Sequence, residues 1–339
     1  MKVAVISTTM IVCPPPGYSG LEMIAWQVAR GLARRGHQVT LIAPIGSQAP
    51  EGVDLHGTTL WESEMQAYSG YWQRLPSYDV IIDHSWQKWA YILKAEGKLK
   101  APILGVCHAP IETMYNSPPP VALHCLVAIS KDQASAVSGH LGVPARVAYN
   151  GIDLDFYKPM KDAVRTDRYL FLARMSRIKG PHIAVDIARK LRLPLDLVGD
   201  DKITGEPQYS QRLLELAKPP VIYHGGVSRE KAVEFFSTAK ALLHPNKDFR
   251  EPFGLAPVEA QACGAPVIAF DNGAMRETVK HGETGFIVNS EEEMTHLVKE
   301  NAIAAINPKR CIEWAAQFSV KAMIDSYERL MKEAIEVGW

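Results

Sequence analysis

The residues best suited to chemistry lie in one stretch, FREPFGLAPVEAQACGAPVIAF, residues 249–270. Glu251 and Glu259 stand eight positions apart around a Pro-Phe-Gly break and a helix of small residues. A pair of carboxylates that cleaves glycosides lies about 5–5.5 Å apart for retention, or about 6.5–9.5 Å for inversion. Eight helical residues span about 12 Å at about 1.5 Å each. The spacing therefore predicts two separate hydroxyl-binding points along one elongated ligand rather than an acid–nucleophile pair. A hydroxyl hydrogen bond to an ionised carboxylate contributes about 1.5–3 kcal/mol. Two surface glutamates bordering a helix would show the same spacing.

Cations and histidines sit where strands end. LARMSRIKG (172–180) follows an apolar run and carries Arg174, Arg177 and Lys179 just before Gly180–Pro181. Arg grips phosphate bidentately and Lys acts as a point charge, so this loop suits an anion, although a solvated basic loop is the plainer alternative. In PPPGYSGLE (14–22), Gly17 and Gly20 border a helix start, whose free N–H groups also favour an anion. His84 in IIDHSW and His108 in GVCHAP close two further apolar runs. Either could donate to a hydroxyl or exchange a proton near neutral pH, or simply satisfy a backbone carbonyl. Between Trp61 and Tyr91 lie eight of the nineteen Trp and Tyr residues, which suit sugar stacking or core packing equally. Trp86 and Trp89, three apart, are expected on one helix face. His84 and Trp86 are therefore candidate ligand contacts.

The elements that must position these groups alternate in type. Short β-branched runs at 2–7, 38–43, 78–84, 103–108, 125–130 and 146–150 predict strands, with an amphipathic helix over 21–36. After a polar stretch at 158–168 the alternation restarts, with strands at 169–174, 195–200, 221–226, 241–245, 266–270 and 285–289 and helices at 182–191 and 229–240. Two consecutive helices close the chain. At 339 residues two domains are expected. The pattern predicts two Rossmann-like, doubly wound parallel-sheet domains facing a cleft, over 1–160 and 161–318, with a C-terminal helix at 319–339 expected to pack back on the first.

Composition narrows the partners. Lys plus Arg and Asp plus Glu are both 37, a balance unlike a nucleic-acid-binding surface. No apolar run reaches the length of a membrane span, and the first apolar stretch, broken by Ser7, Thr8 and Thr9, reads as a strand rather than a signal peptide. Five scattered cysteines without a CxxC pair argue against a disulfide framework or zinc site and suit a reducing cytoplasm.

In these motifs the chain resembles the family-4 retaining glycosyltransferases of the GT-B architecture. The resemblance rests on GYSGLE, CHAP, NGIDLDFYKP (150–159), LARMSRIKG, VGDD (198–201), EPFGLAPVE with its E-x7-E spacing, ACGAPVIAF and GETGFIV. It implies that Glu251 binds ring hydroxyls of a donor sugar and Glu259 the ribose hydroxyls. Arg174 and Lys179 would clamp the diphosphate. The backbone at Phe253, Gly254 and Leu255 would lie against sugar and diphosphate, Gly20 would let its loop approach, and His108 would stand near the reacting sugar. Gly226 and Val227 are expected beside the nucleotide base, domain 161–318 would bind the nucleotide sugar, and domain 1–160 would bind the acceptor through His84 and Trp86. The implied reaction transfers a hexosyl group from a UDP- or GDP-sugar to a sugar, glycoside or lipid-linked acceptor, with no cofactor and no metal; weak peripheral membrane contact stays open. Asp153-x-Asp155 is read as a junction turn. The alternatives are a GT-B sugar-nucleotide epimerase and a non-catalytic nucleotide-sugar-binding subunit.

Overall fold

The computed structural model describes residues 1–17, 20–60, 63–114, 121–201 and 206–339, so Tyr18, Ser19, Trp61, Glu62 and residues 115–120 and 202–205 lie outside the described residues. The chain divides into two compact units, Met1–Gly151 with Val320–Trp339, and Ile152–Ser319.

The first unit is a seven-stranded parallel sheet: β1 (Lys2–Ile6), β2 (Gln38–Pro44), β3 (Val53–Thr58), β4 (Val80–Asp83), β5 (Ile103–Cys107), β6 (Leu126–Ala128) and β7 (Ala145–Val147). Its order is β3-β2-β1-β4-β5-β6-β7. Central strands such as β4 (VIID) and β5 (ILGVC) are buried along their whole length, because helices cover both faces of a parallel sheet. The edge strand β3 reads VDLHGT and pairs only with β2. Half exposed, it needs no apolar run, which is why its sequence does not announce a strand.

The helix Val320–Glu336 belongs to this unit. Arg35 pairs with both Asp325 and Glu328 on it, and Tyr327 is fully buried. Gly31 leaves room for the crossing: a Cβ there would stand 2.4 Å from Ile324 Cγ1. The aromatic run is largely core. Tyr71 and Tyr91 are buried, Tyr68, Trp72 and Tyr78 pack on the same cluster, and the Tyr91 hydroxyl donates to the His124 carbonyl at 2.6 Å. Trp86 and Trp89 do not share a helix face, since the helix begins only at Ala90.

The second unit holds β8 (Tyr169–Leu172), β9 (Leu195–Val198), β10 (Val221–Gly225), β11 (Leu242–His244), β12 (Val267–Phe270) and β13 (Gly285–Val288), ordered β10-β9-β8-β11-β12-β13. Residues 152–160, expected in the first domain, belong here instead. The Ile152 amide donates to the Phe318 carbonyl at 2.8 Å, and the Met160 amide reaches Ser237 Oγ at 3.1 Å. Asp153-x-Asp155 folds as a turn, with the Asp155 amide on Asp153 Oδ1 at 3.1 Å.

In both sheets the strand order reverses beside the first strand, at β1/β4 and at β8/β11. Ligands of open α/β sheets bind beyond the carboxyl ends of strands at such reversals. No helix among the described residues is long and apolar enough to cross a membrane.

β13 approaches β12 so closely that a Cβ on Gly285 would lie 2.0 Å from the Val267 carbonyl oxygen. Gly285→Ala is expected to cost about 2–3 kcal/mol, the usual range for a substitution that forces backbone to shift. Chemical denaturation would report that loss; an unchanged midpoint would show that β13 is free to move.

Candidate functional site

The reversal at β8/β11 gathers the chemistry of the second unit. Lys179 lies in the loop after β8; His244, Asn246 and Glu251 lie at and beyond the end of β11. The two loops touch: a Cβ on Gly180, whose φ is +72°, would meet the Pro245 carbonyl oxygen at 2.0 Å. Glycine is therefore required at 180 both by conformation and by space. Beside it Lys179 Nζ donates to Glu251 Oε2 at 2.6 Å and stands 4.3 Å from the centre of the Phe249 ring. Both side chains are largely enclosed, at 12% and 11% exposure.

Glu251 Oε2 also accepts from Asn246 Nδ2 at 3.0 Å, and His244 Nε2 stands 3.5 Å away. Oε1 has no hydrogen-bond partner among the described residues. Burial acts to raise the Glu251 carboxyl, but the Lys179 ammonium and then His244 outweigh it and hold the group below the ordinary carboxylate range. The backbone of Glu251 is fixed as well. It bridges Gly273, where a Cβ would fall 2.2 Å from the Glu251 carbonyl oxygen, and the Ala274 amide donates to that oxygen at 2.8 Å. Asn272 Nδ2 ties down the intervening loop through the carbonyls of Asn246, Lys247 and Phe249 at 3.0, 2.8 and 3.0 Å.

The basic loop separates into three environments. Arg174 is exposed, and its side chain makes no hydrogen bond or ion pair among the described residues. Arg177 lies over the Tyr209 ring at 5.3 Å, and Lys179 holds Glu251. Arg174 thus presents an uncompensated charge just past β8.

Phe253 is buried with its ring edge-on to Phe318, which leaves its backbone as the part able to face a ligand. Gly254, at φ +85°, turns the chain into the helix Leu255–Ala262. Glu259 on that helix is buried and accepts a hydrogen bond from the Tyr157 hydroxyl. Burial first, and the Glu259 carboxylate second, push the Tyr157 phenol up, while Arg229 Nε donates to the same hydroxyl at 3.3 Å. The two glutamates therefore occupy separate environments. Gly226 follows β10 and packs on Asp200, where a Cβ would stand 2.2 Å from Oδ2; Val227 beside it is half-buried.

In the first unit the corresponding reversal lies between β1 and β4. Gly20 caps the helix Leu21–Arg34, and Glu22 in its first turn is buried and accepts from Thr8 Oγ1 at 2.7 Å. A carboxylate thus already stands at that helix start. His108 is half-buried at the end of β5. His84, assigned from the sequence to the acceptor, is fully enclosed, with Nδ1 2.8 Å from His108 Nε2. Burial keeps it from touching an acceptor. Trp86 lies in the loop after β4 with its indole nitrogen buried, its amide bonded to Glu64 at 2.8 Å.

Sequence reasoning missed Asn246, His244, Asn272 and Tyr157. All four follow or close short strand and turn segments, and polar residues in those places were the only available signal. Among the described residues no group of three or more His, Cys, Asp and Glu is arranged to hold a metal ion.

Comparison with known proteins places these features. Residues 161–317 match the family model for glycosyl transferases group 1, and residues 18–156 the model for glycosyltransferase family 4. A D-inositol 3-phosphate glycosyltransferase of Mycolicibacterium smegmatis is 26% identical, over 98% of this chain and 92% of that protein. Among solved structures, AviGT4, a glycosyltransferase involved in avilamycin A biosynthesis, superposes with a TM-score of 0.78 at 22% identity, covering 100% of this chain and 99% of that one. Anabaena Alr3699/HepE in complex with UDP-glucose gives 0.78 at 18% identity, over 98% and 100%. These likenesses show two Rossmann-like domains of the GT-B type.

Lys179→Met would leave the Glu251 carboxylate buried without its cation, and is expected to cost about 3–5 kcal/mol. Glu251 also predicts a pH dependence. Its folded-state value lies below the unfolded one, so near and below the ordinary carboxylate value the unfolded chain binds more protons. The stability it contributes is present above that value and declines as pH falls. Glu251→Gln should flatten this part of the acid limb in denaturation midpoints measured from pH 6 to pH 3; an unchanged limb would show that the pair contributes nothing there.

Proposed function

The chain belongs to family 4 of the glycosyltransferases, and from that premise we propose that it moves a hexosyl group from a nucleoside-diphosphate sugar to an acceptor hydroxyl, with retention of anomeric configuration. The observation that carries this proposal is the asymmetry of Glu251. Oε2 is anchored by Lys179 and Asn246, while Oε1 is left to accept a hydrogen bond from a sugar hydroxyl. Arg174, exposed and uncompensated a few residues from Lys179, supplies charge for the diphosphate.

The chemistry follows from these roles. The bond between the anomeric carbon and the diphosphate oxygen breaks, and the electron pair leaves with the phosphate. Arg174 and Lys179 stabilise that developing charge, the kind of preorganised electrostatic effect that dominates many enzymatic rate enhancements. The acceptor oxygen bonds to the anomeric carbon from the same face, and its proton passes to the departing phosphate. By the family resemblance His108 is assigned to the transferring sugar, and Gly20 and the backbone of Phe253, Gly254 and Leu255 to the donor. Glu259 reaches the ribose by exchanging its Tyr157 partner for a hydroxyl, and Gly226 and Val227 border the base. No metal or cofactor takes part. The five cysteines, all buried and free, support a reducing, cytoplasmic setting.

A thermal-shift panel of UDP-, GDP- and ADP-sugars tests donor binding. A donor at a hundred times its Kd adds about 2.7 kcal/mol of apparent stability, and no shift with any of them at millimolar concentration would remove the proposal. Inositol phosphates belong among the acceptors tried, because related proteins carry that substrate in their names. Arg174→Ala is expected to lower kcat by about a hundredfold or more. Glu251→Ala should lower kcat/KM by about ten- to a hundredfold, the value of one charged hydrogen bond. Donor alone should undergo at most slow hydrolysis; conversion to an epimeric donor would make the protein an epimerase instead.

A further inference from the structure

His84 closes β4 and His108 closes β5, two neighbouring strands in parallel register. Their rings lie 5.0 Å apart at 26°, with His84 Nδ1 2.8 Å from His108 Nε2. His84 has no exposed surface, whereas His108 is only half-buried. A neutral imidazole carries one N–H, so one of the two facing nitrogens donates and the other accepts. That couples the tautomers. If His84 donates from Nδ1, His108 keeps its proton on Nδ1 and can donate outward. If His108 donates from Nε2, its Nδ1 is bare and can only accept.

The surroundings favour a neutral pair. Burial, then His108, then Lys88 hold His84 far below the ordinary imidazole value; burial and then Lys88 do the same for His108. Lys88 is itself buried, with Nζ bonded to the Ser85 carbonyl; Glu64 faces it, and Asp83 in turn faces Glu64. From the C-terminal helix the Tyr327 ring lies 6.2 Å from His84. Among the described residues neither Tyr327 Oη nor His84 Nε2 makes a hydrogen bond, and His108 is the one polar partner of the buried ring.

We propose that His84 is a positioning residue, which fixes the ring plane and tautomer of His108 through this hydrogen bond without touching substrate. The inference rests on the function proposed above, in which His108 borders the transferring sugar. A histidine held by one nitrogen presents the other in a defined state, which is how buried partners orient catalytic and ligating histidines generally.

Two variants test it with the full chain. His84→Phe keeps a ring and removes both nitrogens. His84→Asn places an amide near the former Nδ1 and can restore the bond. For His84→Phe, kcat should fall by about ten- to a hundredfold while the donor KM stays within about threefold, and His84→Asn should recover most of kcat. A His84→Phe kcat within threefold of wild type, or an Asn variant as slow as the Phe variant, would overturn the proposal. If His84→Phe does not fold, His84→Gln, whose amide is displaced from Nδ1, replaces it in the comparison. Nitrogen-15 shifts of His108 give a readout independent of turnover: one tautomer in the wild type and a mixture in the variant is expected, and a mixture already in the wild type would refute it. Absence of wild-type transfer with any donor, beside a single His108 tautomer, would instead count against the function and leave the positioning role standing.

Discussion

The ion pair between Lys179 and Glu251 is the constraint around which the second unit is built. Withdrawing two charges from water costs several kcal/mol each, and the attraction between them repays this only when geometry and further hydrogen bonds are good. The surrounding structure meets both conditions. Asn246 adds a second donor to the same carboxylate oxygen, and Gly180 and Gly273 let the flanking backbones come into contact. Asn272 then holds the connecting loop through three carbonyls. The outcome is a carboxylate rigid on one side and open on the other, which suits recognition of a hydroxyl more than proton transfer. A group kept so firmly ionised makes a poor general acid at neutral pH.

The first unit solves a related problem with neutral groups. Its strand-end histidines sit at the matching reversal of sheet order, yet burial and Lys88 keep them uncharged. The lysine faces the Glu64 carboxylate within the same cluster, and Glu64 places both carboxylate oxygens on the amides of Trp86 and Gln87. The loop after β4 is thus fixed by side chains rather than by secondary structure. Each sheet therefore carries its polar residues where the doubly wound topology leaves the strand ends uncovered.

The chain also shows where pattern and packing part company. The aromatic residues between 61 and 91 could as readily have lined a sugar pocket as a core, and the helices around β4 drew most of those described into the core. Glu259 is spaced correctly for a second hydroxyl contact, but in this structure its carboxylate meets Tyr157, a residue a hundred positions away. The edge strand β3 escaped notice because a strand with one neighbour needs little apolar surface.

The sequence by itself determined the alternation of strand and helix, the pair of doubly wound sheets, and the presence of Arg174, Lys179, Glu251 and His108 just beyond strand ends. Those features are local: β-branched runs, helical periodicity and the residue that follows each run are all readable along the chain. Tertiary structure decided the rest: that Ile152–Met160 joins the second unit, that His84 is sealed behind His108, and that Asn246 and Asn272 brace Glu251. Each of these depends on contacts between segments distant in sequence, or on how much water a neighbouring element excludes. Burial and hydrogen-bond partnership are properties of the packed molecule, and no residue carries them alone.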